Sequence, residues 1–191
     1  MLLNPTHAAL PPSEWVRRWS HLAPPEGRVL DVACGSGRHM AWFAGRGHAV
    51  TGVDRAPEAV ASAVAFGDVV QADIESGPWP FAGRQFDVVV VTNYLWRARL
   101  ADIVAAVAAG GLLLYETFAE GNETVGKPAR ADFLLAPGEL LGACGELRVV
   151  AYEDGFLAAP ERFVQRIAAV RPQPVPGAPP ARYPLGPGGA S

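Results

Sequence analysis

The sequence of 191 residues contains only two cysteines, Cys34 and Cys144, and no Cys-x-x-Cys pair. Two isolated cysteines do not have the spacing of a metal site, so we expect no metal and two free, buried thiols in a reducing compartment. An excess of basic residues is also missing, because the formal net charge is −3. Nucleic-acid-binding domains usually carry a basic stripe, so this balance disfavours a nucleic-acid partner without excluding a local patch.

Long hydrophobic runs are absent as well. No segment reaches the roughly 18 to 20 apolar residues of a membrane span, and the start, MLLNPTHAALPPSEW, lacks the basic and apolar parts of a signal peptide. Half of the residues are hydrophobic and 18% are charged, which is typical of a globular domain. We therefore expect a cytoplasmic protein without a membrane partner, acting as a monomer or homodimer.

The chain divides into a flexible N-terminus (1–12), one domain with an N-terminal helix (13–171) and a disordered tail rich in Pro and Gly (172–191). In the domain, apolar strand-like segments alternate with helix-like ones, and RLADIVAAVAAGG is predicted to be a helix that ends at Gly110-Gly111. Two further strands, LRVVAYEDG and RFVQRIAAVR, close the domain. Such alternation predicts an α/β fold, a doubly wound sandwich with right-handed crossovers.

The most informative segment is VLDVACGSGRHM, residues 29–40, in which a buried-looking strand holds Asp31 and ends in the turn Gly35-Ser36-Gly37. The dinucleotide fingerprint G-x-G-x-x-G is incomplete, because Met40 occupies the third glycine position. A carboxylate at this place would repel a diphosphate, which disfavours a nucleotide-dependent oxidoreductase. It suits a cationic ligand such as S-adenosylmethionine, which carries an ammonium and a sulfonium group.

Acidic residues also end the next two predicted strands. Asp54 is placed to accept hydrogen bonds from ribose hydroxyls, and Arg55 follows it. Asp73 and the backbone of Ile74 would flank an adenine. One such carboxylate is unremarkable, but three at consecutive strand ends predict a cofactor site.

These segments resemble the class I S-adenosylmethionine-dependent methyltransferases. VLDVACGSG is similar to the first motif of that family, VTGVD to its second and ADI to its adenine segment; GSGRH and GHAVTGVD show a weaker resemblance to the small tellurite-resistance-type methyltransferases. The resemblance covers roughly residues 13–170 and implies a Rossmann-like, mostly parallel seven-stranded sheet with an antiparallel closing strand. It also implies S-adenosylhomocysteine as the product. The family usually has glycine at the position of Ala33. The cofactor-binding residues predicted together are Asp31, Ala33, Gly35, Gly37, Arg38, Asp54, Arg55, Asp73, Ile74 and Asn93.

Candidate acceptor-side residues follow the fourth and fifth strands. Tyr94 and Glu116 are the predicted catalytic residues, with both side chains facing the cleft above the sulfonium. Glu116 would accept a proton or hold a cationic acceptor, and Tyr94 would orient the acceptor. His39 would either face the methionine part of the cofactor or lie on the surface. The long loop at 118–136 is predicted to be a lid.

Little of the chain remains for acceptor recognition, which predicts methyl transfer to a small or medium-sized acceptor. The alternatives are a tRNA or protein methyltransferase and a non-catalytic module that binds the cofactor or a partner.

Overall fold

A computed structural model describes residues 11–173 and 176–186, so residues 1–10 of the expected flexible N-terminus lie outside the described residues. The five helices are α1 (Glu14–Trp19), α2 (Arg38–Ala44), α3 (Pro57–Ala63), α4 (Leu100–Ala105) and α5 (Glu139–Ala143). The seven strands are β1 (Arg28–Val32), β2 (Ala49–Asp54), β3 (Asp68–Gln71), β4 (Phe86–Thr92), β5 (Val107–Phe118), β6 (Arg148–Ala158) and β7 (Glu161–Val170). Among the described residues, no helix has the length and apolar character needed to cross a membrane.

The strands form one sheet in the order β3-β2-β1-β4-β5-β7-β6. Strands β1 to β5 are parallel to one another, and β7 lies antiparallel between β5 and β6. The predicted α/β fold with a mostly parallel seven-stranded sheet and an antiparallel closing strand is confirmed. The strand order reverses next to β1, which places the glycine turn at the point where such sheets bind ligands.

Both faces of the sheet are covered. Alternate side chains of β1, β4 and β5 point to opposite faces, so Val29, Val90 and Leu114 pack against α1 and α2, whereas Leu30, Val91 and Tyr115 pack beneath α4 and α5. Strands buried on two sides are apolar along their whole length. This is why a single acidic residue inside β1 stands out.

The helix α1 begins where the sequence predicts, because the Ser13 hydroxyl accepts a hydrogen bond from the Val16 N–H at 3.1 Å. Trp15 and Trp19 are buried, and the Trp15 indole N–H donates to the Ile167 carbonyl at 3.1 Å. The tryptophans therefore pack on the sheet.

The predicted helix ending at Gly110-Gly111 is wrong in its second half. The helix α4 ends at Ala105, and Val107 already belongs to β5, where it pairs with Phe86. The register then shifts before Val88 pairs with Leu112, and Gly110 adopts a φ of 76° in this irregular stretch. Pairing with β4 outweighs the helical preference of the alanines in this segment.

The described part of the tail contacts the domain. Tyr183 is half-buried against the Arg148 guanidinium at 5.6 Å, and the Pro184 carbonyl lies 3.0 Å from the His21 ring. These contacts lie near the start of β6, at the edge of the sheet opposite the carboxyl ends of β1 and β4. The assignment of 172–191 as a disordered tail remains a prediction.

Candidate active site

A cavity of about 140 Å³ lies at the carboxyl ends of β1, β2 and β3. Its lining includes six of the predicted cofactor residues or their immediate neighbours: Ala33, Asp54, Arg55, Asp73, Ile74 and Glu75, with Tyr94 as the wall toward β4. The parallel strands bring these residues together because each strand ends at the same edge of the sheet. We call this space the first cavity.

The glycine turn enters the cavity through a backbone that is left-handed at three positions. Ala33, Gly35 and Gly37 have φ values of 53°, 54° and 83°. A Cβ at Gly35 would meet nothing within 4 Å, whereas one at Gly37 would meet Ala63 and Phe66 at 3.0 to 3.1 Å. Gly37 is therefore required for packing against α3, while Gly35 leaves open space for a ligand. Ala33 lies directly beyond the end of β1, and its positive φ is a conformation that suits the glycine that the family usually has there.

Asp54 holds the glycine turn in place. One carboxylate oxygen accepts a hydrogen bond from the Gly35 N–H at 2.9 Å, and the other accepts from the Ala56 N–H at 2.9 Å. The sequence predicted a ligand-facing carboxylate here. The structure adds that the same group joins the ends of β1 and β2.

Asp73 is exposed and caps the turn that follows β3. Its carboxylate accepts hydrogen bonds from the Glu75 N–H at 2.9 Å and the Ser76 hydroxyl at 2.9 Å, and the Glu75 contact is the main reason why the pKa of Asp73 is lowered. Glu75 extends from this turn toward Arg55, 3.4 Å away. Sequence reasoning missed Glu75, and its only signal was its position two residues after Asp73.

Asp31 is buried in β1 with one carboxylate oxygen that has no hydrogen-bond partner among the described residues. Burial raises its pKa to about 8, with the Arg38 charge opposing and the Asp54 charge adding to this shift. The nearest imidazole is that of His39, whose Nδ1 lies 3.9 Å from the carboxylate. An ion or hydrogen-bond donor that reached Asp31 would therefore satisfy an unmet acceptor.

His39 lies neither on the surface nor in a cavity, which corrects both expectations for it. The ring is 2% exposed, and its Nε2 accepts a hydrogen bond from the Ser13 N–H at 3.1 Å. Burial lowers the pKa of His39 to about 3, and the Arg38 charge acts in the same direction. A neutral His39 thus connects α2 to the start of α1.

A second cavity, of about 270 Å³, adjoins the first at the ends of β4 and β5. It is lined by Glu75, Asn93, Tyr94, Leu95, Thr117, Phe118, Pro128 and Phe133. Glu75 and Tyr94 belong to both cavities. The Tyr94 hydroxyl is buried without a partner among the described residues, and burial raises its pKa above the usual range.

The predicted lid forms one wall of this second cavity. It contains two short 3₁₀ helices, Asn122–Thr124 and Ala131–Phe133. The buried Asn122 side chain donates to the Pro128 carbonyl at 3.0 Å and accepts from the Phe163 N–H at 3.2 Å. Arg97 donates to the carbonyls of Asp132 and Leu134. Side-chain hydrogen bonds therefore hold the loop near both of its ends.

Glu116 does not face the cleft together with Tyr94, and this corrects the sequence-based expectation. Its side chain is 1% exposed, lies on the α1 and α2 side of the sheet and lines neither cavity. Its carboxylate lies 3.4 Å from the Arg166 guanidinium and 3.8 Å from that of Arg162. Sequence reasoning missed both arginines because they lie 46 and 50 positions away, on the closing strand pair.

The comparisons with known proteins agree with this architecture. Residues 29–111 match a family model described as a methyltransferase domain. A TehB-like S-adenosylmethionine-dependent methyltransferase from Corynebacterium glutamicum superposes with a TM-score of 0.60 at 20% identity, over 80% of this chain and 84% of that one. An S-adenosylmethionine-dependent methyltransferase from Methanosarcina mazei superposes with a TM-score of 0.64 at 15% identity, over 85% of this chain and 99% of that one.

The [4+2]-cyclase SpnF has the same fold, with a TM-score of 0.62 at 17% identity over 83% of this chain and 78% of that one. No curated protein sequence matches the chain. At these identities the structural likeness establishes the fold and not the reaction. The fold is that of solved S-adenosylmethionine-dependent methyltransferases, and residues 29–111 match a methyltransferase domain, so the resemblance found in the sequence is confirmed.

Proposed function

We propose that the chain binds S-adenosylmethionine in the first cavity and transfers its methyl group to a small or medium-sized acceptor in the second. The observation that carries this proposal is that the two cavities are neighbours, with Glu75 and Tyr94 in the lining of both. Methyl transfer requires the donor and the acceptor to approach in line. Two adjoining spaces at the ends of neighbouring strands supply that arrangement.

The residues of the first cavity suit the adenosine part of this cofactor. We assign Asp73 and Ile74 to the adenine and Asp54 to the ribose; Arg55 also lines this cavity. The open backbone at Gly35 leaves room for the chain that leads to the sulfur. None of these groups requires a phosphate, which agrees with a cofactor that has none.

Asp31 and Asn93 are proposed to hold the amino-acid part. The unpartnered oxygen of Asp31 would accept a hydrogen bond from an ammonium group, and this contact favours the ionised carboxylate. Asn93 lies directly after β4, where its N–H donates to the Glu116 carbonyl at 2.9 Å and leaves its side chain exposed. Arg38 is the first residue of α2 and directly follows Gly37 of the glycine turn.

The cofactor supplies an electrophilic methyl group on a sulfonium, so the chain has to position the acceptor and exclude water. Tyr94 is proposed to orient the acceptor by donating a hydrogen bond, because its raised pKa keeps the hydroxyl protonated at neutral pH. Pro128 and Phe133 close the outer side of the second cavity. We assign Glu116 a role in holding arginines and not in proton transfer, because its carboxylate lies among guanidinium groups.

The size of the second cavity supports a small acceptor over a polymer. Its volume of about 270 Å³ is bounded by the fastened loop, and apolar side chains supply much of its wall. A tRNA or protein substrate would need an extended surface that admits one protruding group. The formal charge of −3 adds no attraction for a polyanion.

Calorimetry with S-adenosylmethionine, S-adenosylhomocysteine, NAD and NADP tests the cofactor assignment. We expect both sulfur compounds to bind and neither nicotinamide cofactor to do so. Mass spectrometry of S-adenosylhomocysteine formation, with fractionated small-molecule extracts as acceptors, then tests transfer. Nicotinamide binding without binding of the sulfur compounds would reject the proposal. Cofactor binding with no S-adenosylhomocysteine formed from any fraction would favour the non-catalytic module.

A further inference from the structure

Three arginines surround the buried carboxylate of Glu116 on the sheet face that α1 and α2 cover. Arg166 and Arg162 come from β7, and Arg38 reaches in from the start of α2. Buried guanidinium groups normally have a matching carboxylate or several acceptors. Each of the three guanidinium groups is therefore expected to have partners of this kind.

Arg166 is fully matched. Its Nε donates to Glu153 at 2.7 Å, a second nitrogen contacts the same carboxylate, and Nη1 lies 3.3 Å from Glu14. Glu14 and Glu153 therefore supply partners for Arg166 outside the cluster, although Glu153 also pairs with Arg18. Arg166 lies 3.4 Å from Glu116 as well, so all three arginines share that carboxylate.

Arg38 and Arg162 share that one carboxylate imperfectly. Arg162 lies 3.8 Å from Glu116, beyond hydrogen-bond distance, and its buried Nε has no partner among the described residues. Within the described ranges, the nearby Glu116 Oε1 atom has no hydrogen-bond partner either, and the hydrogen bond found for the Arg38 side chain is a long one, 3.4 Å to the neutral Thr92 hydroxyl.

Asp31 does not remove the surplus charge at neutral pH. Without the cofactor, its raised pKa of about 8 keeps the carboxyl mainly protonated; with the cofactor bound as proposed, the ammonium group matches the ionised carboxylate. Two guanidinium groups thus face one ionised carboxylate, and donors in the pair remain unsatisfied. An additional anion would complete the set.

The pair lines neither cavity but lies close in the chain to residues that line them. Arg38 follows the glycine turn directly, and Thr92, which it contacts, ends β4 next to Asn93 of the second cavity. Glu116 lies opposite Thr92 in the adjacent strand. Arg162 is partly exposed, so a small ligand can reach its guanidinium.

We propose that Arg38 and Arg162 bind a carboxylate group, which makes the preferred acceptor a small organic acid. This inference rests on the proposed function and names its substrate class. The same chemistry has a second source, the carboxylate of the cofactor's own amino-acid part. The experiment below separates the two sources.

The first arm measures binding of benzoate and of its neutral analogue benzamide to the protein saturated with S-adenosylhomocysteine, by NMR titration. We expect benzoate to bind at least about tenfold more tightly, since charge-assisted hydrogen bonds distinguish the two. Arg162→Gln and Arg38→Gln should remove this preference. Arg17→Gln, which deletes an exposed charge on α1, should retain it. Circular dichroism verifies that each variant is folded, and Arg162→Lys separates charge from guanidinium geometry.

The second arm compares S-adenosylhomocysteine with 5′-methylthioadenosine, which lacks the amino-acid part. Arg162→Gln could lower the affinity for S-adenosylhomocysteine roughly tenfold and leave that for 5′-methylthioadenosine unchanged. If the wild type also showed no preference for benzoate, this result would assign the site to the cofactor's carboxylate. Equal binding of benzoate and benzamide, with unchanged S-adenosylhomocysteine affinity in the variants, would overturn the proposal. Absence of S-adenosylhomocysteine binding to the wild type would instead reject the proposed function, and benzoate binding to the free protein would still test the arginine pair.

Discussion

Replacing Asp54 by alanine should destabilise the glycine turn as well as weaken cofactor binding. The carboxylate accepts two backbone hydrogen bonds, from Gly35 and from Ala56, both at 2.9 Å. A hydrogen bond to a charged acceptor contributes about 1.5 to 3 kcal/mol. Because the carboxylate is half-exposed and water can replace part of these contacts, the lower value applies to each.

The expected loss for Asp54→Ala is therefore about 3 kcal/mol of unfolding free energy. In a domain of this size that lowers Tm by about 6 to 12 °C. The Asp54→Asn variant keeps one oxygen acceptor and loses the charge, so we expect about half of this effect. Affinity for S-adenosylhomocysteine should fall in the same order, at least about tenfold in the alanine variant.

Urea unfolding at fixed pH and calorimetry with S-adenosylhomocysteine measure the two effects separately. Asp68→Ala is the matched control, because it removes an exposed carboxylate at the opposite end of the sheet, beside β2. If Asp54→Ala changed the unfolding free energy by no more than the control, the carboxylate would not hold the turn. If Asp54→Ala lowered the unfolding free energy but left the affinity for S-adenosylhomocysteine unchanged, the Asp54 carboxylate would not contact the ribose.

Three further outcomes are expected. Tyr94→Phe should leave stability unchanged, since the hydroxyl has no partner among the described residues, but lower kcat/KM for the acceptor without changing cofactor affinity. Asp31→Asn should abolish a pH effect on urea unfolding. In the wild type the raised pKa of Asp31 stabilises the folded state fully below about pH 4, and this contribution is lost as the pH rises through about 8. If the unfolding free energies of the wild type and the variant changed in parallel with pH, the assignment would be contradicted. Removing residues 172–191 should lower Tm by only a few degrees, because Tyr183 and Pro184 make few contacts, and should leave cofactor affinity unaltered; a large change in affinity would show that the tail supports the site.

The strands that build the first cavity could be predicted from the sequence because each is an apolar run with an acidic residue inside it or near its end. Asp31 lies inside β1, Asp54 is the last residue of β2, and Asp73 lies two residues after β3. Local sequence is sufficient here, since the parallel arrangement aligns the strand ends whatever the details of packing.

The remainder depended on contacts between distant segments. The alanine-rich stretch before Gly110 has a helical pattern, yet Val107 pairs with Phe86 in the sheet. Alternation along β5 gives the face of Glu116 but not its partners, because Arg162 and Arg166 come from β7, two strands later in the chain. Side-chain charge pairing across a sheet has no signature in a single sequence.

The position of β7 has a consequence for how this chain folds during synthesis. β7 is the last strand to be made, yet it lies between β5 and β6 and carries the Ile167 carbonyl that accepts the Trp15 hydrogen bond. Until that segment has left the ribosome, one edge of β5 stays open and Trp15 lacks its cover.

At a synthesis rate of about 5 to 20 residues per second, the 152 residues between Trp15 and Ile167 take roughly 8 to 30 seconds to make. During this interval the chain exposes an indole that the finished protein buries completely. Once β5 has been made, it also exposes an unpaired strand edge until β7 follows. A ribosome-bound chain stalled before β7 should therefore recruit chaperones, while one stalled well beyond it should not.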